Sequence, residues 1–168
     1  MIPDLQPVRI GITLSLLSIF LGFMLGGFFG IGEDAMKKNL KASAESVLET
    51  KYQSDEAAMK KTLDKSWVYF QRAHLHLGVI GTAALIQSLL LAFLNMPAWI
   101  KSWVSIMLGL GSIGYGSFWL LAGLIAPGLG STGAAKDSLR WLGQPSAALC
   151  ILGTAGVLFA VLKWSRSK

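Results

Sequence analysis

Four stretches of this chain contain no Asp, Glu, Lys or Arg: residues 10–32, 73–100, 102–135 and 141–162. A helix rises about 1.5 Å per residue, so roughly 20 apolar residues cross about 30 Å of hydrocarbon. Each run is long enough. The expected fold is all-α, an integral membrane four-helix bundle forming a single membrane domain over residues 1–168. Its spans are placed near 10–31, 73–94, 102–125 and 141–162. Composition agrees: 14% of the 168 residues are charged, against about 25% in a soluble globular domain. A mean hydropathy of +0.56 argues against disorder as well.

The first run has an alternative reading as a cleaved leader with Arg9 in its n-region. Its apolar stretch exceeds the usual h-region, and residues 29–33 (Phe-Gly-Ile-Gly-Glu) make a poor cleavage site, so it is read as a retained span. Tryptophans mark the helix ends. Trp67 precedes the second span, Trp99 and Trp103 open the third, and Trp141 and Trp164 flank the fourth. Trp favours the headgroup level, where its ring has one apolar and one wet neighbour.

Charge counting for orientation gives a divided answer. Arg9, Lys101, Lys163, Arg166 and Lys168 fall on one side, and ten Lys/Arg fall on the other. Seven of those ten lie in the first loop, however, where seven acids match them. The basic C-terminal tail favours both termini in the cytoplasm, and the expected location is a multi-pass position in a bacterial inner membrane.

Fourteen of the 24 charged residues lie within 33–66, the one polar segment. Glu33 and Asp34 suit a helix first turn. Met36, Leu40, Ala44, Val47 and Leu48 then recur at helical spacing. Residues 53–56 read as a break with Ser54 as N-cap, after which Met59, Leu63, Trp67 and Phe70 stay in step with the second span. The expectation is an extramembrane helical hairpin whose second arm enters the membrane unbroken. It is either a docking surface or a solvated connector; it is far longer than the usual 2–8 residues of a helix connection.

Small residues form stripes along the spans. Gly11, Ser15, Ser18, Gly22 and Gly26 line the first, Gly78, Gly81, Ser88 and Ala92 the second, and Ser105, Gly109, Ser112, Gly116 and Gly123 the third. Membrane helices associate through close backbone approach at such stripes, so these are helix-packing residues. Two spacings imitate a dinucleotide fingerprint, Gly109-Leu-Gly111-Ser-Ile-Gly114 and Gly128-Leu-Gly130-Ser-Thr-Gly133. Neither follows a strand, and both are set aside. Pro127 and the glycines after it are expected to end the third helix.

Both histidines lie in one segment, Gln71-Arg72-Ala73-His74-Leu75-His76-Leu77-Gly78. Ionisable residues at membrane depth are expensive and mark candidate sites. Residues two apart on a regular helix point to nearly opposite faces, so one metal ion cannot take both rings. His74 shares its face with Gly78, which would let a flat macrocycle approach the backbone. Arg72, on the face of His76, suits an anionic propionate or a lipid phosphate. His74 and His76 are therefore candidate ligands for the iron of haem b, with Met24, Met107 or another chain's histidine completing the axial pair. A quinone head group bonded by one histidine is the next option. The plain alternative is interfacial histidines bonded to backbone, lipid or a neighbouring helix.

Ala73-His74-Leu75-His76-Leu77-Gly78-Val79-Ile80-Gly81 resembles the histidine-bearing helix openings of haem–copper-oxidase-like membrane proteins. The likeness covers nine of 168 residues and implies one axial ligand within a larger assembly. A complete haem–copper centre needs histidines on other helices, and this chain has none.

No Asp or Glu lies in any expected span, which counts against a pump or carrier. Cys150 is the lone cysteine, so an intrachain disulfide is out. The pI near 9.6 points to anionic lipid rather than nucleic acid, since the basic groups flank spans. The expected function is a non-catalytic accessory subunit of a respiratory or photosynthetic electron-transfer complex, partnered by other membrane subunits and lipids. A cofactor-free structural or assembly subunit is the alternative; a small carrier or channel ranks below both.

Overall fold

The computed structural model describes residues 4–164; Arg166 and Lys168, used in the orientation count, lie outside them. The described residues form an all-α bundle whose four long apolar helices make the chain a multi-pass membrane protein. A 3-10 turn, Gln6–Val8, leads into α1 (Arg9–Glu45). Then follow α2 (Leu48–Tyr52), α3 (Glu56–Leu75), a π-helical turn (His76–Ile80) and α4 (Gly81–Phe93). After a short link come α5 (Ala98–Leu129), α6 (Thr132–Ser138) and α7 (Arg140–Trp164).

The polar segment is a hairpin, but it does not begin where the sequence suggests. Nothing between Arg9 and Glu45 breaks a helix, and α1 runs through as 37 residues, about 55 Å. Glu33 and Asp34 are therefore mid-helix, with Glu33 paired to Lys37 one turn on. At the hairpin tip Gln53 and Ser54 both take positive φ, 54° and 63°. An N-cap needs extended backbone, so Ser54 cannot serve. Asp55, one residue later with ψ 96°, caps α3 by accepting the Ala58 N–H at 2.9 Å.

The hairpin is not a free connector. α5 is longer than its expected span, and its last turns carry the hairpin. Tyr52 donates its hydroxyl to the Pro127 carbonyl at 2.8 Å, and Gly128 and Gly130 lie against Ser43 and Lys51. Pro127 does not end α5; it sits in the final turn, and Gly130 at φ 72° stops the helix, its N–H bonding back to the Pro127 carbonyl. Ser131 then caps α6. Burial holds the Tyr52 phenol above its ordinary pKa near 10, with Thr62 pulling weakly the other way. A raised folded-state pKa means the stabilisation is complete below about pH 10 and fades as pH rises through the folded value. Hydrogen exchange at residues 46–58 is accordingly expected to speed up in that alkaline window by more than its intrinsic base catalysis accounts for. In Tyr52→Phe it should be faster already at neutral pH, by the roughly 1 kcal/mol of one hydrogen bond.

α5 is the centre of the bundle: α1, α3, α4 and α7 all pack on it, and α7 touches little else. The small-residue stripes make these approaches possible. A Cβ on Gly11 would lie 2.5 Å from the Ser105 carbonyl oxygen, and one on Gly109 would lie 2.6 Å from Leu14 Cβ. Ser15, Ser18, Ser105 and Ser112 are fully buried between the helices. Ser15 and Ser112 return their hydroxyls to carbonyls of their own helix, Gly11 and Gly109, each at 2.8 Å, so they pack as small apolar units. Gly116 sits under Leu77 and Gly123 under Phe70.

The false fingerprint in α5 resolves into two contact faces. Gly109 meets α1, while Gly111 and Gly114 admit Cys150 and Ser146 of α7. At the opposite end of the bundle Lys101 is buried, only 8% exposed, and its Nζ donates to the Ala92 carbonyl at 3.2 Å. A cation there meets the negative end of α4. Trp99, Trp103 and Trp141 project from the bundle, each more than 60% exposed, as headgroup-level rings would. Trp67 is instead drawn inward, 5.3 Å from the Phe29 ring with the Lys37 ammonium above it.

Candidate functional site

The second span carries an irregularity at its histidines. Between α3 and α4 the hydrogen-bond ladder widens to a π turn over His76–Ile80. Such a turn disturbs the regular pairing of carbonyls, and π turns occur often at functional sites. Side chains meet three carbonyls around it. His76 Nδ1 bonds the Arg72 carbonyl at 2.6 Å, Ser18 Oγ of α1 donates to the Leu77 carbonyl at 2.9 Å, and Thr82 Oγ1 donates to the Gly78 carbonyl at 2.8 Å. The Arg72 and Gly78 carbonyls also take the backbone N–H groups of His76 and Gly81, so there the side chains add a second bond to a carbonyl the helix already meets.

The two histidines point away from each other, as their spacing requires. His74 faces α1. Its Nδ1 lies 2.8 Å from the Gly22 carbonyl oxygen, a group that only accepts, so Nδ1 carries the proton. The ring rests over Gly26, where a Cβ would approach Cε1 to 2.7 Å, and meets Phe29 edge-on at 5.8 Å. Gly22 has its own duty: a Cβ there would lie 2.9 Å from the Gly78 nitrogen. The glycines of the first stripe thus seat both a backbone crossing and an imidazole.

His76 faces α5 instead. Its ring lies 5.0 Å from Tyr115 and 6.0 Å from Trp119. The Arg72 guanidinium stacks over Trp119 at 4.8 Å and Tyr69 at 5.6 Å, so it is held by rings. His74 stands apart from this pair. The structure brings Arg72 and His76 together in an aromatic cluster and puts His74 on another face.

A cavity of about 480 Å³ opens beside His74, between α1 and the second span. That size is ordinary for a small-molecule site. Its walls are apolar, among them Ile19, Phe23, Val79 and Ile86, with His74 and Thr82 as the polar side chains. Gly78 lines it too, and a Cβ there would meet nothing within 4 Å. Neither Met24 nor Met107 lines the cavity. Among the described residues no three His, Cys, Asp or Glu side chains gather as a metal site.

Sequence reasoning placed His74 and Gly78 on one face, and they share this cavity. It missed the π turn, Thr82 and the contribution of α1. The signal available for Thr82 was its position four residues after Gly78, suited to bonding that carbonyl. No protein family, curated protein or solved structure matches this chain.

Proposed function

We propose that this chain is an accessory membrane subunit of an electron-transfer assembly and holds a lipid-soluble redox ligand at His74. One observation carries the reading. The imidazole lines an apolar cavity and is pinned by its Nδ1–H to the Gly22 carbonyl, so Nε2 is the nitrogen left for a ligand. A histidine that binds a metal or a cofactor is oriented in this way, with its other nitrogen on a backbone carbonyl. Haem iron and the hydroxyl of a reduced, quinone-class head group both suit such a nitrogen. The quinone class is favoured, since neither Met24 nor Met107 lines the cavity as a second axial ligand. The proposal also places both termini in the cytoplasm, in a bacterial inner membrane, with other membrane subunits as partners.

A cofactor-free structural subunit is the competing reading, favoured by the way the same hydrogen bond ties α1 to the second span. Two measurements on protein purified from native membranes separate them. A reduced-minus-oxidised spectrum reports haem, and solvent extraction reports quinone. The expected result is one ligand near stoichiometry, lost in His74→Ala and kept in His76→Ala. Neither ligand in the wild-type protein, or a ligand that survives His74→Ala, would overturn the proposal.

A further inference from the structure

A second cleft, of about 340 Å³, lies where α5 meets α6 and the start of α7. Tyr115 and Phe118 of α5 wall it with rings, and Lys136 and Asp137 of α6 and Arg140 of α7 stand round it. These three charged side chains are exposed, and none makes an ion pair or a hydrogen bond among the described residues. Two cations thus face one carboxylate, a surplus of one positive charge.

The cleft has a definite depth in the bilayer. α7 covers 25 residues, about 37 Å, slightly more than the roughly 30 Å of hydrocarbon. With Lys163 at one headgroup layer, Arg140 stands at the other. Trp141 beside it is 69% exposed, as a ring at that level would be. Gly143 packs against Phe118, which sets the rings of the cleft about one turn inside that layer. Ala147 lines the cleft deeper still, and Ile151, four residues on along the same face of α7, is 68% exposed toward lipid.

Positive charge at the headgroup level above an apolar strip complements a phospholipid. A guanidinium binds a phosphate through paired N–H groups, and an ammonium adds a point charge. A free phosphate would leave the strip unused. A zwitterionic headgroup would leave the surplus charge unbalanced at the edge of a low-dielectric layer. Independently of His74, we propose that this cleft binds a phospholipid of net negative charge, its phosphate taken by Lys136 and Arg140 and one acyl chain laid along Ala147 and Ile151.

The test titrates the detergent-purified whole chain with phosphatidylglycerol, phosphatidylethanolamine or phosphatidylcholine of identical acyl chains. Bound lipid is read by native mass spectrometry. Phosphatidylglycerol is expected to bind about fivefold more tightly than either of the others, or better. Lys136→Gln with Arg140→Gln should bring the three within about twofold. Lys60→Gln with Lys61→Gln removes the same charge from exposed positions on the hairpin and should keep the preference. Should the first pair fail to fold, Asp137→Asn gives a second reading: it removes the opposing carboxylate and should tighten phosphatidylglycerol binding. Inorganic phosphate in large excess should leave the bound lipid in place. Equal binding of the three lipids, or equal loss in the two double variants, would overturn the site. Displacement by inorganic phosphate would overturn the lipid as its occupant. So would phosphatidylethanolamine bound as tightly as phosphatidylglycerol and lost in Asp137→Asn.

Discussion

Gly11→Ala is expected to lower the stability of the bundle by about 1–3 kcal/mol, the usual cost of forcing atoms into a packed crossing. The added methyl would lie 2.5 Å from the backbone carbonyl oxygen of Ser105, and a backbone atom cannot swing aside as a flexible side chain can. Relief requires moving α1 away from α5 along the face shared by Ser15, Ser18, Gly109 and Ser112, where dispersion contacts fall off steeply with separation. The same substitution at Gly27 or Gly30 meets nothing within 4 Å. There the loss of glycine's flexibility should stabilise the helix by about 0.5–1 kcal/mol. Thermal unfolding in detergent, read by tryptophan fluorescence, should therefore move in opposite directions for Gly11→Ala and Gly27→Ala. Equal shifts would mean the two glycines are alike and the close crossing is absent.

Gly78→Leu is expected to leave the fold intact and empty the cavity. A Cβ at Gly78 has open space around it, so the leucine can be accommodated, and Gly78 lines the cavity that its side chain would enter. His74 and its bond to Gly22 remain untouched, so the change separates loss of volume from loss of the histidine. Ligand retained through purification should fall to about a tenth of wild type or less, equivalent to about 1.4 kcal/mol or more of binding. The melting temperature should hold. A structural histidine alone would predict no such dissociation between ligand content and stability.

The sequence made some levels of this structure legible and hid others for physical reasons. Four uncharged runs announced four spans because a bilayer penalises charge strongly, and no tertiary detail overrides that. The small-residue faces were legible through their three- and four-residue steps, and Gly11, Gly109 and Gly116 lie at close crossings. Gly111, Gly114, Gly143 and Gly153 stayed hidden, since they serve a second face toward or from α7 that a single-stripe search passes over.

Helix ends were harder. Glu33 looks like a start only if the polar residues before the break form a separate helix, and local sequence does not distinguish that from continuation. Ser54 and Asp55 are both good N-caps by type; the backbone twist at Gln53 and Ser54 decides between them. At the site, the opposed faces of His74 and His76 followed from their spacing. The π turn did not: the Ser18 hydroxyl that meets its Leu77 carbonyl comes from 59 residues away in the chain.

The central claim is that His74 and its cavity, rather than the His76 cluster, hold a lipid-soluble redox ligand. The most direct measurement is photolabelling of the protein in native membranes with an azido-benzoquinone bearing an apolar tail, in its oxidised and its reduced form, followed by peptide mapping. The account predicts that label concentrates on α1 near Ile19 and Phe23 and on the second span between His74 and Ile86, and that it disappears in Gly78→Leu. Label concentrated instead at Tyr115 and Trp119 beside His76, or unchanged by Gly78→Leu, would contradict it.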